Sequence, residues 1–398
     1  MDITVFPGKL IGTIQPAPSK SLLHRYLICS ALADHPTRIL CGNSCDDVDA
    51  TIDCLCALGA IIEKTDYGYR VTPIRHVPIA ATLNCRESAT TLRLLLPVVG
   101  ALGVEATFHM SDTLSVRPLG PLWDEMERMG CSLARQSSNS IRCCGQLQCG
   151  EYSIEGSVSS QFISGLLIAL ALLPGSSRLL VTGRVESKPY INMTQQILRQ
   201  FEAHWEADKI SCSYPLHSPC EIKAEPDWSN AAFFLAANTL GSQIDVMNMA
   251  RNSLQGDRVI TDYLLRFNDH CSIDVSDTPD LLPILSVVAA AKKGATFCGI
   301  RRLRFKESDR VATVCSMLRQ FGVQAIAAEN TLTVAAGKFH GCTIDAHGDH
   351  RIAMTAAIAA TTADGPVTIL DAQCVSKSYP GFWDEFRRLG GSYAQHIR

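Results

Sequence analysis

Ala17-Pro18-Ser19-Lys20-Ser21-Leu22-Leu23-His24-Arg25 is a turn running into an apolar helix (Leu27, Ile28, Ala31, Leu32) whose opening carries two cations and two hydroxyls. Free N–H groups and the positive end of the helix dipole favour a phosphate or carboxylate at such a start. Ser19 or Ser21 can cap, and Lys20 and Arg25 add full charges. An ordinary serine-capped helix with solvated basic residues has the same local sequence. Repetition separates the two readings.

Polar, often charged starts before small-apolar helices recur at Lys20-Ser21, Ala89-Thr90-Thr91-Leu92-Arg93, Ser159-Ser160-Gln161-Phe162, Trp228-Ser229-Asn230-Ala231, Thr278-Pro279-Asp280-Leu281 and Gly348-Asp349-His350-Arg351. Taken at 21, 90, 159, 229, 280 and 349, the steps are 69, 69, 70, 51 and 69 residues. A second helix in each copy ends near Leu58, Met129, Phe201, Phe267, Phe321 and Leu389, in steps of 71, 72, 66, 54 and 68. Two independent markers with one period predict six copies of an α/β unit.

A chain of 398 residues, 46% hydrophobic and 19% charged, has core enough for two domains, and three copies in each is the natural division. A net charge of −3 excludes a global basic field for nucleic acid or membrane, so anion-binding power must be local. No apolar run reaches about 18 residues and MDITVFPGKL lacks a signal-peptide pattern, so the expected location is the cytoplasm. Seventeen cysteines, an odd number at irregular spacing without a zinc pattern, read as small core residues in a reducing compartment. No metal site is expected.

Along the chain, 3–5, 12–14, 60–62 and 69–71 read as strands, and Asp46 and Asp47 as caps of the next helix. Arg93 lies one helical turn after Ala89, within reach of an anion at that helix start. Arg117 precedes Pro118 at the entry to a helix over 123–129. The hydroxyl-rich Gly156-Ser157-Val158-Ser159-Ser160-Gln161 suits a phosphate or polyol, or a cap with spare serines. Ser187-Lys188-Pro189-Tyr190 opens a helix similarly, its tyrosine a ligand contact or simply packed. The polar stretch Lys223-Ala224-Glu225-Pro226-Asp227 marks the lobe boundary. Beyond it the charge is densest, in Leu303-Arg304-Phe305-Lys306-Glu307-Ser308-Asp309-Arg310, Asp349-His350-Arg351 and the Lys377 segment.

KSLLHR (20–25), ATTLR (89–93), the Arg-Pro of SVRPLG (115–120), SVSSQF (157–162), SKPY (187–190), TPD (278–280), LRFKESDR (303–310), GDHRIAM (348–354) and CVSKSYP (374–380), in this order, resemble the 5-enolpyruvylshikimate-3-phosphate synthases of the enolpyruvyl transferase family. The resemblance spans essentially the whole chain. It implies an α/β, two-lobed fold of six βαβαββ units, three per lobe, as an inside-out α/β barrel with helix N-termini aimed at a cleft. The first lobe would be about 19–224 and the second 1–18 plus 225–398, with the active site in the cleft between them.

The implied reaction moves the enolpyruvyl group of phosphoenolpyruvate onto the 5-hydroxyl of shikimate 3-phosphate, releasing phosphate through a tetrahedral intermediate without metal or organic cofactor. By the same resemblance, Lys20, Ser21, Arg25, Ser159, Ser160, Gln161, Ser187, Tyr190, Asp280 and Lys306 contact shikimate 3-phosphate. Lys20, Ala89, Arg93, Arg117, Gln161, Arg310, Arg351 and Lys377 contact phosphoenolpyruvate. No nucleic acid or membrane partner is implied, and the chain is expected to act as a monomer. Asp280 is the expected base. Glu307 and Lys20 are candidates for proton transfer at the methylene and to the leaving group, with Lys306 and the arginines holding charge; sequence does not divide the proton steps among them.

Eight cations (Lys20, Arg25, Arg93, Arg117, Lys306, Arg310, Arg351, Lys377) against Asp280 and Glu307 leave a surplus of six. Two carboxylates and two phosphates at roughly −1.5 to −2 each bring about −5 to −6, which that surplus nearly neutralises. Two departures from the family pattern affect turn geometry: Pro18 replaces a usual glycine, and Arg86-Glu87-Ser88-Ala89 replaces a glycine/asparagine-rich loop.

Three other readings compete with this one. The sister transferase acting on UDP-N-acetylglucosamine typically has Lys-Asn at 20–21 and a catalytic cysteine before Arg117, whereas 104–116 contain no cysteine. A non-catalytic phosphometabolite-binding protein would not require Asp280, Lys306 and Glu307 together. A protein-binding repeat scaffold would require no cations at repeated helix starts.

Overall fold

The computed structural model describes residues 1–206, 209–212 and 215–396. The chain divides into two compact units, Pro18–Glu225 and Met1–Ala17 with Pro226–Arg398, each with its own apolar core.

One pattern recurs in both. In its second copy, strand Ala80–Asn84 leads through helix Ala89–Leu102 to the parallel strand Glu105–His109. Helix Gly120–Arg128 follows, three residues ahead of the expected start, and the hairpin Cys131–Ser137/Ser140–Gly145 completes the sheet antiparallel. The third copy repeats this with Glu151–Glu155, Ser160–Leu170, Gly175–Thr182, Lys188–Gln200 and the hairpin His204–Glu206/Lys209–Cys212. The first takes its leading strand from the end of the unit, where Glu221–Lys223 pairs parallel with Thr37–Leu40. Six separate sheets result among the described residues, and none closes into a barrel.

The second unit departs from the pattern twice. Its fourth copy has the parallel pair Ile11–Ile14/Gln243–Val246 around helix Trp228–Thr239, but no hairpin of its own. Its short second helix, Ile260–Leu264, is followed within six residues by the next copy's strand Cys271–Asp274, which leaves no length for two further strands. The 51- and 54-residue steps in the sequence are this missing hairpin. The sixth copy borrows instead of losing: Asp2–Phe6 sits antiparallel between Val367–Leu370 and Ser392–His396.

The leading helix of most copies is apolar on every side, the pattern of a helix buried all round. Every residue of His350–Ala360 is buried, and so is Leu22–Ala31. Trp228–Thr239, Leu282–Ala291 and His350–Ala360 pack on one another, and Ala89–Leu102 packs on Ser160–Leu170. At that last crossing Pro97 has no N–H for the Arg93 carbonyl four residues earlier, and Gly165 closes over it; a methyl at 165 would strike that oxygen and the proline ring. With their flanks committed to core, these helices expose functional groups chiefly at their N-termini.

Candidate active site

In the 18–225 unit, the buried guanidinium of Arg25 meets neutral acceptors alone. Its Nε donates to Thr194 Oγ1 (2.6 Å), Nη1 to the Ser21 carbonyl (2.7 Å), and Nη2 to Ser164 Oγ (3.3 Å) and the Tyr190 carbonyl (3.2 Å). Burial lowers its pKa to about 10. Ser19 occupies the N-cap position of Lys20–Ala31 but makes no capping bond, and its buried Oγ has no partner. Lys20 Nζ instead pairs with Asp47 Oδ2 at 2.8 Å. The expectation that Asp46 and Asp47 cap the next helix is therefore corrected: Cys45 is at the N-cap, and Asp47 is the partner of Lys20.

Ser88 caps Ala89–Leu102 by accepting from Thr91 N, leaving Ala89 at the first helical position, 6% exposed. Arg93, four residues on, donates to Gln161 Oε1 and to the Pro118 carbonyl, both at 3.0 Å, and stacks over Phe162 at 5.1 Å. Gln161 in turn donates to Thr90 Oγ1 (2.8 Å), so one amide ties two helix starts together. Ser159 caps Ser160–Leu170, and Ser159 and Ser160 are nearly buried. Ser187 holds a left-handed backbone (φ 53°) at the start of Lys188–Gln200, where Tyr190 is half-buried. Arg117 lies in the turn between Asp112–Ser115 and Gly120–Arg128.

The other unit gathers its charges more tightly. Asp280, in the 3-10 turn Pro279–Leu281, accepts from Arg310 Nη1 (2.8 Å) and Lys306 Nζ (3.4 Å) on Oδ1, and from Arg351 Nη2 (3.2 Å) on Oδ2. Burial pushes its carboxyl up, but Arg351, Lys306 and Arg310 outweigh that and hold it well below the usual range. Arg310 also reaches Glu307 Oε2 (2.5 Å) and grips Asp349 with Nε (2.9 Å) and Nη2 (3.2 Å). Asp349, fully buried, caps His350–Ala360 through Arg351 N (3.0 Å). Burial lowers the pKa of Lys306, with Asp280 opposing. Lys377 ends the 3-10 turn Ala372–Lys377, which packs on His350–Ala360.

The sequence matches the family EPSP synthase (3-phosphoshikimate 1-carboxyvinyltransferase) over residues 6–386. Curated relatives named 3-phosphoshikimate 1-carboxyvinyltransferase include those of Clostridium botulinum (strain Eklund 17B / Type B), 35% identical over 98% of this chain and 97% of the relative, and Clostridium beijerinckii, 35% identical over 98% of each. This chain belongs to the EPSP synthase family. Two solved structures of EPSP synthase from Acinetobacter baumannii superpose with TM-scores of 0.80, at 22% and 21% identity, covering 99–100% of this chain and 100% of theirs. At that identity the likeness speaks for the EPSP synthase fold.

For an EPSP synthase the structure adds acids that sequence reading left out. Asp47 offsets Lys20 in the 18–225 unit, and Asp349 joins Asp280 and Glu307 around Arg310 in the other. Asp257, 1% exposed, accepts from the Ser229 hydroxyl with one oxygen, while Oδ1 has no partner. Burial and the nearby Asp280 raise its carboxyl to about 7, against Arg351 and the Ser229 bond. An aspartate at a turn or helix start reads as a cap wherever it falls, and nothing local distinguishes these three.

Proposed function

We propose that this chain transfers the enolpyruvyl group of phosphoenolpyruvate to the 5-hydroxyl of shikimate 3-phosphate, releasing phosphate. The observation that carries this reading, beside family membership, is Asp280 held by Lys306, Arg310 and Arg351, with Glu307 on the same Arg310. In the addition step the 5-oxygen bonds to C2 of phosphoenolpyruvate while the methylene gains a proton; elimination then breaks the C2–O bond to phosphate and returns that proton. Asp280 takes the hydroxyl proton. Its depressed pKa makes it a weak base while three cations surround it. Substrate carboxylate and phosphate compete for those cations, and as they do the basicity of Asp280 climbs toward its ordinary value.

Glu307 and Lys20 serve the methylene and leaving-group protons, and Lys306, its ammonium already weakened by burial, holds charge beside Asp280. Residues 19–224 supply most shikimate 3-phosphate contacts, through Ser21, Arg25, Ser159, Ser160, Gln161, Ser187 and Tyr190; 1–18 with 225–398 supply the catalytic acids and Arg310, Arg351 and Lys377 for phosphoenolpyruvate. Lys20, Ala89, Arg93, Arg117 and Gln161 complete the phosphoenolpyruvate set. The protein acts as a cytoplasmic monomer, where phosphorylated substrates that do not cross membranes unaided are at hand. A coupled phosphate-release assay with both substrates tests the reading: release that requires both supports it, and none overturns it.

A further inference from the structure

Beneath Lys20 and Asp47 runs a hydrogen-bonded chain through the core of the 18–225 unit. His24 Nδ1 lies 2.7 Å from Thr51 Oγ1, which lies 2.6 Å from Thr91 Oγ1. Thr91 Oγ1 lies 2.8 Å from Ser88 Oγ and 3.3 Å from the Asp47 carbonyl, and Ser88 Oγ accepts from Thr91 N (3.2 Å). His24, Thr51, Thr91 and Ser88 are all completely buried. The chain crosses three helices, Lys20–Ala31, Asp46–Ala57 and Ala89–Leu102.

Its members stand at fixed offsets from ligand-facing positions. His24 is one turn after Lys20, Thr51 one turn after Asp47, and Ser88 and Thr91 flank Ala89 and Thr90 at the start of the helix that bears Arg93. A polar network deep in a core is favourable only when its donors and acceptors are matched, and a matched one admits a single arrangement. The direction here follows from its far end. The Asp47 carbonyl can only accept, so Thr91 turns its one proton there, Thr51 donates to Thr91, and His24 donates to Thr51 through Nδ1–H. Nε2 is left as a bare acceptor, and it has no partner.

We propose that His24, resting on the functional reading above, is a positioning residue for the phosphoenolpyruvate site: as a neutral Nδ1–H donor it fixes the register of three helix starts, so that the Lys20–Asp47 pair and the Ala89–Arg93 turn address one anion. Of the groups proposed for shikimate 3-phosphate, Ser159, Ser160, Ser187 and Tyr190 lie outside this network and only Lys20, Ser21 and Arg25 share its first helix, so phosphoenolpyruvate should respond more strongly than shikimate 3-phosphate. Burial, with Lys20 and Arg25 beside the ring and Asp47 opposing them, lowers the imidazole to about 3, consistent with a neutral donor.

The test is steady-state kinetics on the full chain with His24→Leu, His24→Asn, Thr51→Val and Thr91→Val, together with 15N NMR of its histidines. His24→Leu and the two valine variants are expected to raise the KM for phosphoenolpyruvate about ten- to hundredfold, the penalty of an ångström-scale misplacement, with a rise in the KM for shikimate 3-phosphate at least about threefold smaller. His24→Asn, whose amide N–H replaces Nδ1–H, should stay within about threefold of wild type. The His24 signals should show a protonated Nδ1, a bare Nε2 and no titration between pH 8 and 5. Parallel rises in both KM values, asparagine no better than leucine, or a protonated Nε2 would overturn the proposal. If His24→Leu fails to fold, the near-isosteric valine variants carry the kinetic arm. Wild-type protein that releases no phosphate overturns the function itself, and the histidine signals then decide the network alone.

Discussion

The two units each bury an arginine near a helix start, in opposite ways. In 18–225, Arg25 is surrounded by two hydroxyls and two carbonyls, all neutral. In the other unit, Arg310 is saturated by Asp280, Glu307 and Asp349. A guanidinium desolvated among neutral acceptors is still short of a counter-charge, and an incoming phosphate or carboxylate supplies it. A cluster that neutralises itself recruits less charge but holds acids and bases in fixed relation, which is what proton chemistry requires. The first arrangement suits holding an anion, the second moving a proton.

Removing the acid at the centre of the cluster should have the largest effect. Asp280→Ala removes the carboxylate that Lys306, Arg310 and Arg351 share, and Glu307→Gln removes the acid beside them; each should lower kcat roughly 10²–10⁴-fold with much smaller changes in shikimate 3-phosphate affinity. Near-normal turnover in either would take that residue out of the mechanism. Next, Asp349→Asn should destabilise by about 1–3 kcal/mol in urea unfolding, because a fully buried Arg310 loses one of its three carboxylate partners. The neutral cap of the other unit, Ser159→Ala, should lose only about 1 kcal/mol. Equal losses at the two caps would erase the distinction.

Acid titration should divide the units by sign. His24 is held neutral to about pH 3 in the folded state but protonates near 6.5 when unfolded, so below pH 6.5 the unfolded chain binds the extra proton and stability falls as pH falls. Asp257 keeps its proton to about pH 7 when folded and loses it near 3.8 when unfolded, so there stability falls as pH rises. Between pH 4.5 and 6.5 each effect amounts to about 2–3 kcal/mol, in opposite directions. Asp280, with its depressed pKa, adds stability that is present above about pH 4 and lost below it, outside that window. His24→Asn should remove one slope and Asp257→Asn the other, measured as urea midpoints across the range; two variants with the same slope would refute the contrast.

The smallest effect expected is at Ala89, where family members commonly have glycine. On the proposed reading its methyl stands at a helix start where backbone must approach the ligand, and overpacking by one methyl costs about 1–3 kcal/mol, or roughly five- to 150-fold in affinity for glyphosate, the family's inhibitor at the phosphoenolpyruvate site. The ratio of glyphosate Ki to phosphoenolpyruvate KM should be high in wild type and fall in Ala89→Gly. A ratio already below one in wild type would dismiss the steric account.

The repeat, the helix starts and the apolar faces were legible because they depend on local periodicity, and even the missing hairpin was written as a step of 51 where 69 was usual. The cations at those starts were legible for the same reason. Their partners were not. Asp47 answers Lys20 from 27 residues away and Asp349 answers Arg310 from 39, and no local pattern separates such an aspartate from a cap. Gln161, noticed as part of a serine-rich start, turns out to join Arg93 to Thr90 across two helices. Contact between helices, within one copy for Lys20 and Asp47 and between copies for the others, decides these pairings, and periodicity says nothing of it.

The strand Asp2–Phe6 is synthesised some 360 residues before the two strands that enclose it, Val367–Leu370 and Ser392–His396. At cellular translation rates that is a wait of roughly 20–70 s with both edges open, while the continuous segment 18–225 emerges with every sheet partner it needs. An Ile-Thr-Val-Phe run left unpaired for that long is a template for other chains. Asp2 on one side and Pro7-Gly8-Lys9 on the other bracket it with a charge, a residue that cannot donate to a ladder, and a second charge. The nascent chain thus carries its own guard against β-pairing with its neighbours on the polysome until its C-terminal strands arrive.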